Sequence, residues 1–545
     1  VTVFLDKRAQ TAFERGTFGV PPEEVRDVMH FGVQLHYSTH FNVANSFQSI
    51  DMRHSDSDSS KATFRVSVGK DVTDFTDARL TAIFLHNTVP RGFVTRTWDA
   101  AGKPQPAVGK LEGECGPMEP PDLVVTVSNR GGGVYQCAIS SQHLNESDPR
   151  WKADDNWRTI GNARHSFVEA FFSRLQPSAT PKDRYASLRA LGWEAYKRVP
   201  EVFQNAFWEL SDRKLLNTIL ILTEEPAFPW ELIIPTREDE NPMPQDAPLG
   251  VRCTMGRWIV TKKSWLSPPQ DLQLTSALVA AVPFDPEGVV PEADREKVEK
   301  ATKLAREEAE EIVKTMHGQP IDPVTADHVE ETLRAGHESL LHFICHGKGG
   351  ELSLDRQADR ALDLVEGLAP DSDGTAIAQK LKLTGNSVIL SDEVSQKGFS
   401  EFLTRECGHR ALIFLNACEV GRLEPAFAGV GGFPEAFASL QAGAVIAPLW
   451  SVTHRAAHDA ALEFYRRVRA EPDKPFAEII RDIRAKSYRA IRNGGKVEEG
   501  WEDSFAAYCF YGNPLCKQPR MIRLESLPQI PGLEESSLPA GGVRQ

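Results

Sequence analysis

The sequence predicts an α/β protein: a mostly parallel sheet flanked by helices, preceded by a β-rich, sandwich-like amino-terminal region. Short continuous apolar runs recur through the later part of the chain. They include NTILIL (217–222), SALVAAV (276–282), LLHFIC ending at Cys345, ALIFLNAC ending at Cys418, and AGAVIAPLW. Runs of that length, bounded by turn residues, suit strands covered on both faces. Amphipathic helical stretches separate them, which is the spacing of parallel crossovers. The first part of the chain, to about residue 145, shows a different period, alternating apolar and polar residues.

In that first part Phe31, Val33, Leu35 and Tyr37 alternate with polar neighbours, as do Ala62, Phe64, Val66 and Val68, and RLTAIFLH follows. DLVVTVS and GVYQCAIS flank an Asn-Arg-Gly-Gly turn, a hairpin signal, because Asn and Gly supply the positive backbone angles of tight turns. An antiparallel sandwich is the expectation for 1–145. Residues 100–122, dense in Gly and Pro, read as a linker or long loop. His30, His36 and His40 read as polar strand-face residues rather than metal ligands, since strand spacing does not converge them and no Cys or carboxylate completes a site.

A connecting segment, 146–184, leads to the main domain, expected over 185–517. Around Pro200 the stretch SLRALGWEAYKRVPEVFQNAFWEL has apolar residues at three- and four-residue spacing, a bent or broken helix pair. Val298, Ala301, Ala305, Ile312 and Met316 share one face of a helix closed by Gly318, and a second helix starts near Thr325 with Asp327 in its first turn. Further helices are expected from Phe433 to Gln441, opened by Pro434; from Thr453 to about Ala470; and from Pro475 to about Asn493. The tail, 518–545, is polar and Pro-rich from Glu525.

The 545 residues suffice for several domains with full cores. With 76 acidic against 62 basic residues and a net charge of -14, there is no general electrostatic footprint for nucleic acid. Eight scattered cysteines without a C-x-x-C pair imply a reducing compartment. The absence of an apolar run near membrane-spanning length, or of a basic-then-apolar leader, makes the expectation cytoplasmic with no membrane span. The chain opens on Val rather than Met, as a piece of a longer protein would.

Ligands in parallel sheets collect at the carboxyl ends of strands, and here two such ends carry His346-Gly347 and Cys418-Glu419. A free thiol has a pKa of about 8.5, and pairing with an imidazolium can lower it by several units. Cys418 and His346 are therefore a candidate nucleophile and base, and the backbone N–H groups of Gly347 and Cys418 a candidate oxyanion hole, each donor of that kind contributing roughly 3 kcal/mol. A lone Cys ending an apolar strand is more often inert core, which is the reading for Cys345, expected to pack inward.

At these residues the chain resembles the CHAT family of caspase-like cysteine proteases, in the same broad clan as caspases and separase. LLHFICHG and LIFLNACEVG carry the resemblance in the family's His-before-Cys order, with FPWELI near 230, GVGGFPEAFASLQAGAVIAPLW and YGNPL (511–515) as further landmarks. The resemblance implies peptide-bond hydrolysis through a thioester, with His346 as general base, Cys418 as nucleophile, and no third catalytic residue, cofactor or metal. Asn416 and Glu419 match motif positions that support the turn. Asp392, Glu419, Trp450 and His454 are substrate-pocket candidates, the two carboxylates being suited to Arg or Lys; relatives often have Asp at the position of His454. The implied role is regulated cleavage of a protein substrate, with an activating protein or ligand acting through the amino-terminal region, in a bacterial defence or cell-death pathway. Two other classes share these residues: a catalytically silent interaction module of the same fold, and a thiol-dependent hydrolase or acyltransferase of small molecules.

Overall fold

The computed structural model describes residues 2–3, 28–53, 60–111, 119–145, 148–158, 181–225, 228–237, 247–260, 268–282, 292–335, 338–345, 380–382, 388–390, 410–416, 424–426, 429–431, 433–440, 442–449, 452–492 and 506–519. The amino-terminal region forms a five-stranded antiparallel sheet from β1 (Val28–Tyr37), β2 (Phe47–Arg53), β3 (Arg79–His86), β4 (Val89–Thr97) and β5 (Val108–Leu111), in the order β2-β1-β3-β4-β5. The alternation that predicts these strands gives the sheet two buried faces. Phe31, Val33, Leu35, Ala82 and Phe84 join Ile50, Met52, Ala62 and Phe64 in one core. Ile83, Leu85 and Phe93 point the other way.

What they meet is an eleven-stranded sheet. Its strands are β6 (Leu123–Gly131), β7 (Val134–Ser140), β8 (Asp154–Trp157), β9 (Thr218–Thr223), β10 (Thr254–Ile259), β11 (Ala277–Ala281), β12 (Gln319–Pro320), β13 (Leu340–Ile344), β14 (Leu412–Asn416), β15 (Ala444–Pro448) and β16 (Tyr508–Tyr511). They lie in the order β8-β7-β6-β9-β10-β16-β15-β14-β13-β11-β12. β6, β9, β10 and β16 run parallel, and so do β15, β14, β13, β11 and β12. The two blocks run in opposite directions and join at the antiparallel β15–β16 pair.

Two features differ from the sequence-based expectation. The hairpin of DLVVTVS and GVYQCAIS forms, with Gly131, Gly132 and Gly133 all at positive φ, but its strands β6 and β7 belong to the large sheet, because β6 pairs with β9 in parallel. The large sheet therefore begins at residue 123. Within the expected linker, 108–111 pairs with 92–95 as the edge strand β5.

The longer helices among the described residues flank the large sheet or its edges: α1 (Pro181–Tyr196), α2 (Glu201–Asp212), α3 (Glu292–Thr315), α4 (Ala326–Ala335), α5 (Phe433–Ser439), α6 (His454–Ala470) and α7 (Phe476–Arg492). Pro200 separates α1 from α2, since a proline cannot supply the N–H that would continue the first helix. Phe203, Phe207 and Leu210 of α2 cover Ile219 and Ile221 of β9. On the opposite face of the same strand, Leu220 and Leu222 pack with Val124, Trp258 and the amino-terminal sheet residues Ile83, Leu85 and Phe93. The amino-terminal sheet thus occupies the place that a helical layer takes elsewhere.

Polar contacts fix that docking. The Arg79 guanidinium donates to both carboxylate oxygens of Glu224, at 2.8 and 2.7 Å, and to the Asn129 carbonyl at 2.9 Å. His36 Nδ1 lies 2.6 Å from Ser128 Oγ, and burial, reinforced by the Arg79 charge, pushes its pKa from 6.5 down to about 3. Arg130 Nε donates to the Tyr37 carbonyl at 3.2 Å.

Two outcomes are expected. Arg79→Met should destabilise the protein by about 3–5 kcal/mol in urea titration because Glu224 stays buried and unpaired, and adding Glu224→Met should recover most of the loss. The unfolded His36 ring takes its proton near 6.5 whereas the folded one resists to about 3, so acidification between those values favours the unfolded chain. Stability should be full above that window and fall through it. His36→Gln should be less acid-sensitive than the parent, the difference in slope approaching about 1.4 kcal/mol per pH unit.

Candidate functional site

β13 and β14 are buried along their whole length and pair in parallel, from Leu340↔Leu412 to Ile344↔Asn416. In parallel register, paired residues share a face. His342, Ile344, Phe414 and Asn416 therefore point to one side, and Cys345 to the other. Cys345 is buried, as the alternation predicts. The ladder continues weakly past the strands, the Cys345 N–H lying 3.5 Å from the Asn416 carbonyl.

The His342 face holds a chain of buried polar groups inside an otherwise apolar core. Tyr465 Oη of α6 is 2.8 Å from His342 Nδ1, and His342 Nε2 is 2.9 Å from Glu308 Oε1 of α3. Asn416 Nδ2 donates to the same Glu308 oxygen at 2.6 Å, and the Tyr508 hydroxyl of β16 donates to Asn416 Oδ1 at 2.6 Å. One assignment satisfies all of them: Tyr465 donates to His342, His342 and Asn416 donate to Glu308, and Tyr508 donates to Asn416. The apolar rings of Phe414 and Tyr465, 5.6 Å apart, close over the chain. A carboxyl in such surroundings costs several kcal/mol unless hydrogen-bonded, and here two donors meet it.

Sequence patterning alone does not single out this group, although signals exist. Glu308 interrupts the apolar face of α3, three residues after Ala305 and four before Ile312. His342 is the single polar residue inside its apolar run, LLHFIC.

Of the residues singled out by sequence, His346, Gly347, Asp392, Cys418, Glu419 and Trp450 lie outside the described residues. His346 and Cys418 each follow, by two positions, a member of the last strand pair, Ile344↔Asn416. His454 is the first residue of α6, whose N-cap Thr453 accepts from the Ala456 N–H. It keeps solvent contact but stands among enough protein that desolvation lowers its pKa, while the Glu308 charge acts in the opposite sense. Among the described residues no group of three or more His, Cys, Asp or Glu is placed to hold a metal. His30 bonds Asp51 and His40 bonds Ser38.

The outer landmarks have structural roles. In FPWELI, Glu231 is buried against Arg257 of β10. Burial raises its pKa, and the charges of Arg257 and Arg484 outweigh that effect and leave it below the ordinary value. The Arg484 guanidinium reaches the Tyr508 carbonyl, so one carboxylate and two guanidinium groups clamp α7 to β10 and β16. In YGNPL, Gly512 lies across Gly256, where an added Cβ would come within 2.1 Å of the Gly512 carbonyl oxygen. Only glycine allows that approach.

A mostly parallel α/β sheet with these landmarks defines the class. Residues 214–491, just over half of the chain, match the family model of the CHAT domain, and the chain belongs to that family. No curated protein matches it. Three solved structures show low likeness. The complex of Porphyromonas gingivalis RgpB pro- and mature domains is 14% identical, with 66% of this chain and 78% of that chain covered and a TM-score of 0.35. The Saccharomyces cerevisiae separase–securin complex is 12% identical, with 66% and 20% covered and a TM-score of 0.30. The Drosophila initiator caspase Dronc is 12% identical, with 48% and 90% covered and a TM-score of 0.25.

The Glu308 charge raises the pKa of His454, so Glu308→Gln should move the His454 imidazole titration, followed by NMR, to lower pH. An unchanged midpoint would show that the two groups do not communicate.

Proposed function

We propose that the protein is a cysteine endopeptidase in which Cys418 is the nucleophile and His346 its general base. The observation that carries this reading is the parallel pairing that ends at Ile344↔Asn416, because His346 and Cys418 follow those two residues at equal distance along the chain. Parallel strands present their carboxyl ends on one edge of the sheet, where reacting groups of α/β proteins collect. Membership of the CHAT domain family supports the same reading.

The chemistry follows from the two side chains. His346 takes the thiol proton of Cys418, and the thiolate attacks the scissile carbonyl carbon. The backbone N–H groups of Gly347 and Cys418 stabilise the oxyanion. The C–N bond then breaks, with the imidazolium delivering its proton to the departing amine, and water, deprotonated by the same imidazole, hydrolyses the thioester. Asp392, Glu419, Trp450 and His454 select the substrate side chain. The substrate is a protein, cleaved at few sites under control of the amino-terminal sheet, whose buried docking against β6, β9 and β10 supports a route by which a partner acts on the protease sheet.

The purified protein, incubated with a broad peptide panel and with candidate partner proteins, should yield products detected by mass spectrometry. Cys418→Ala should abolish them, and His346→Ala should lower the rate by at least about a hundredfold, the usual range for loss of a general base. Products that persist in Cys418→Ala would overturn the reading.

A further inference from the structure

The chain of buried polar groups around Glu308 has no step in the chemistry above, yet it joins the strand that leads to His346, through His342, to the strand that leads to Cys418, through Asn416. Its location argues against a purely packing role. Hydrophobic residues of similar volume commonly serve a core as well as or better than a buried polar cluster. Here the cluster runs from His342, midway along β13, to Asn416, the last residue of β14, and so reaches the carboxyl end of the pair. It also takes over where the backbone ladder weakens: beyond Ile344↔Asn416 the main-chain contact among the described residues is the 3.5 Å one from Cys345 N–H to the Asn416 carbonyl.

The hydrogen bonds determine the Asn416 side chain completely. Its Nδ2 donates to Glu308 and its Oδ1 accepts from Tyr508, and the amide has one orientation, because an amide turned over would set its oxygen against the Glu308 oxygen. The same Glu308 oxygen accepts from His342, four residues before His346. A single atom on α3 thereby ties the middle of β13, at His342, to the last residue of β14, Asn416. α3 is itself anchored by Ala301, Ala305 and Ile312 in the main core.

We propose that Glu308 is a positioning residue for the protease dyad: acting through Asn416 and His342, it holds the strand ends that lead to Cys418 and His346. This rests on the dyad reading given above. The position of the thiol against the imidazole sets its pKa, so the readout is the pH dependence of Cys418 alkylation by iodoacetamide, located by mass spectrometry in the full chain.

In the parent protein the midpoint should lie well below the free-thiol value of about 8.5, and His346→Ala should move it up to about that value. Asn416→Asp places a carboxyl against Glu308 and should shift the midpoint in the same direction, slowing alkylation at neutral pH roughly tenfold, within the range for coupled neighbours. The exchange Glu308→Gln with Asn416→Asp reverses the polarity of the pair: the Gln NH2, standing where the shared Glu308 oxygen was, donates one hydrogen to Asp and the other to His342 Nε2, the imidazole taking its other tautomer and donating from Nδ1 to the Tyr465 hydroxyl. The double variant should return to within about threefold of the parent rate.

If His346→Ala leaves the midpoint unmoved, the dyad reading fails and this inference fails with it. If His346→Ala moves the midpoint but Asn416→Asp does not, or the double variant does not recover, the dyad stands and the role of Glu308 is overturned. Far-UV circular dichroism checks the fold of each variant. Should Asn416→Asp not fold, Tyr508→Phe, which frees Asn416 Oδ1 without adding charge, should raise the midpoint by a smaller amount, and no shift would count against the proposal.

Discussion

Five consecutive backbone pairings, from Leu340↔Leu412 to Ile344↔Asn416, join two chain segments that lie far apart in sequence. Parallel pairing of this kind cannot be closed by a local turn and depends on crossovers and on burial of both faces. Both conditions are met here. The strands are fully buried, α3 and α6 cover one face through Glu308 and Tyr465, and β11 and β15 extend the sheet on either side. His342 and Asn416 take their places from that pairing.

Two buried ion pairs among the described residues lie at junctions. Arg79–Glu224 lies between the amino-terminal sheet and the large one, and Arg257–Glu231, with Arg484, lies between β10, the FPWELI turn and α7. Pairs of this kind add little net stability over apolar replacements, but a displaced docking would leave a charge stranded in the interior. They act against wrong arrangements more than in favour of the right one. The amino-terminal sheet is consequently docked with a defined register and is not a loosely tethered neighbour.

Much of this architecture is legible in the amino-acid sequence. NTILIL, SALVAAV, LLHFIC and AGAVIAPLW all form strands, since short apolar runs between turn residues have few other uses, and the helices with single apolar faces lie where periodicity puts them. The affiliation of β6 and β7 is not legible there. Val124 and Val125 are both buried, one against each neighbouring layer, and the partner that decides the matter, β9, comes about ninety residues later. The edge strand β5 is hidden by the Gly- and Pro-rich composition around it. At the site, His346 and Cys418 are conspicuous as motif residues, whereas Glu308 is one acid among many on an acidic helix, distinguished only by the face it occupies.

The strand β16 gives the fold a temporal order. It is the bridge between the two oppositely directed blocks, pairing Tyr511 with Arg257 on one side and with Val445 on the other. During synthesis both blocks can form before residue 508 emerges, each with an open edge at β10 or β15. Pairing across such sequence separations is slow to find, and unpaired edges are the places where chains associate wrongly. Until residues 508–511 arrive the large sheet is two half-sheets, so its completion waits on the emergence of a strand that lies some sixty residues beyond β15.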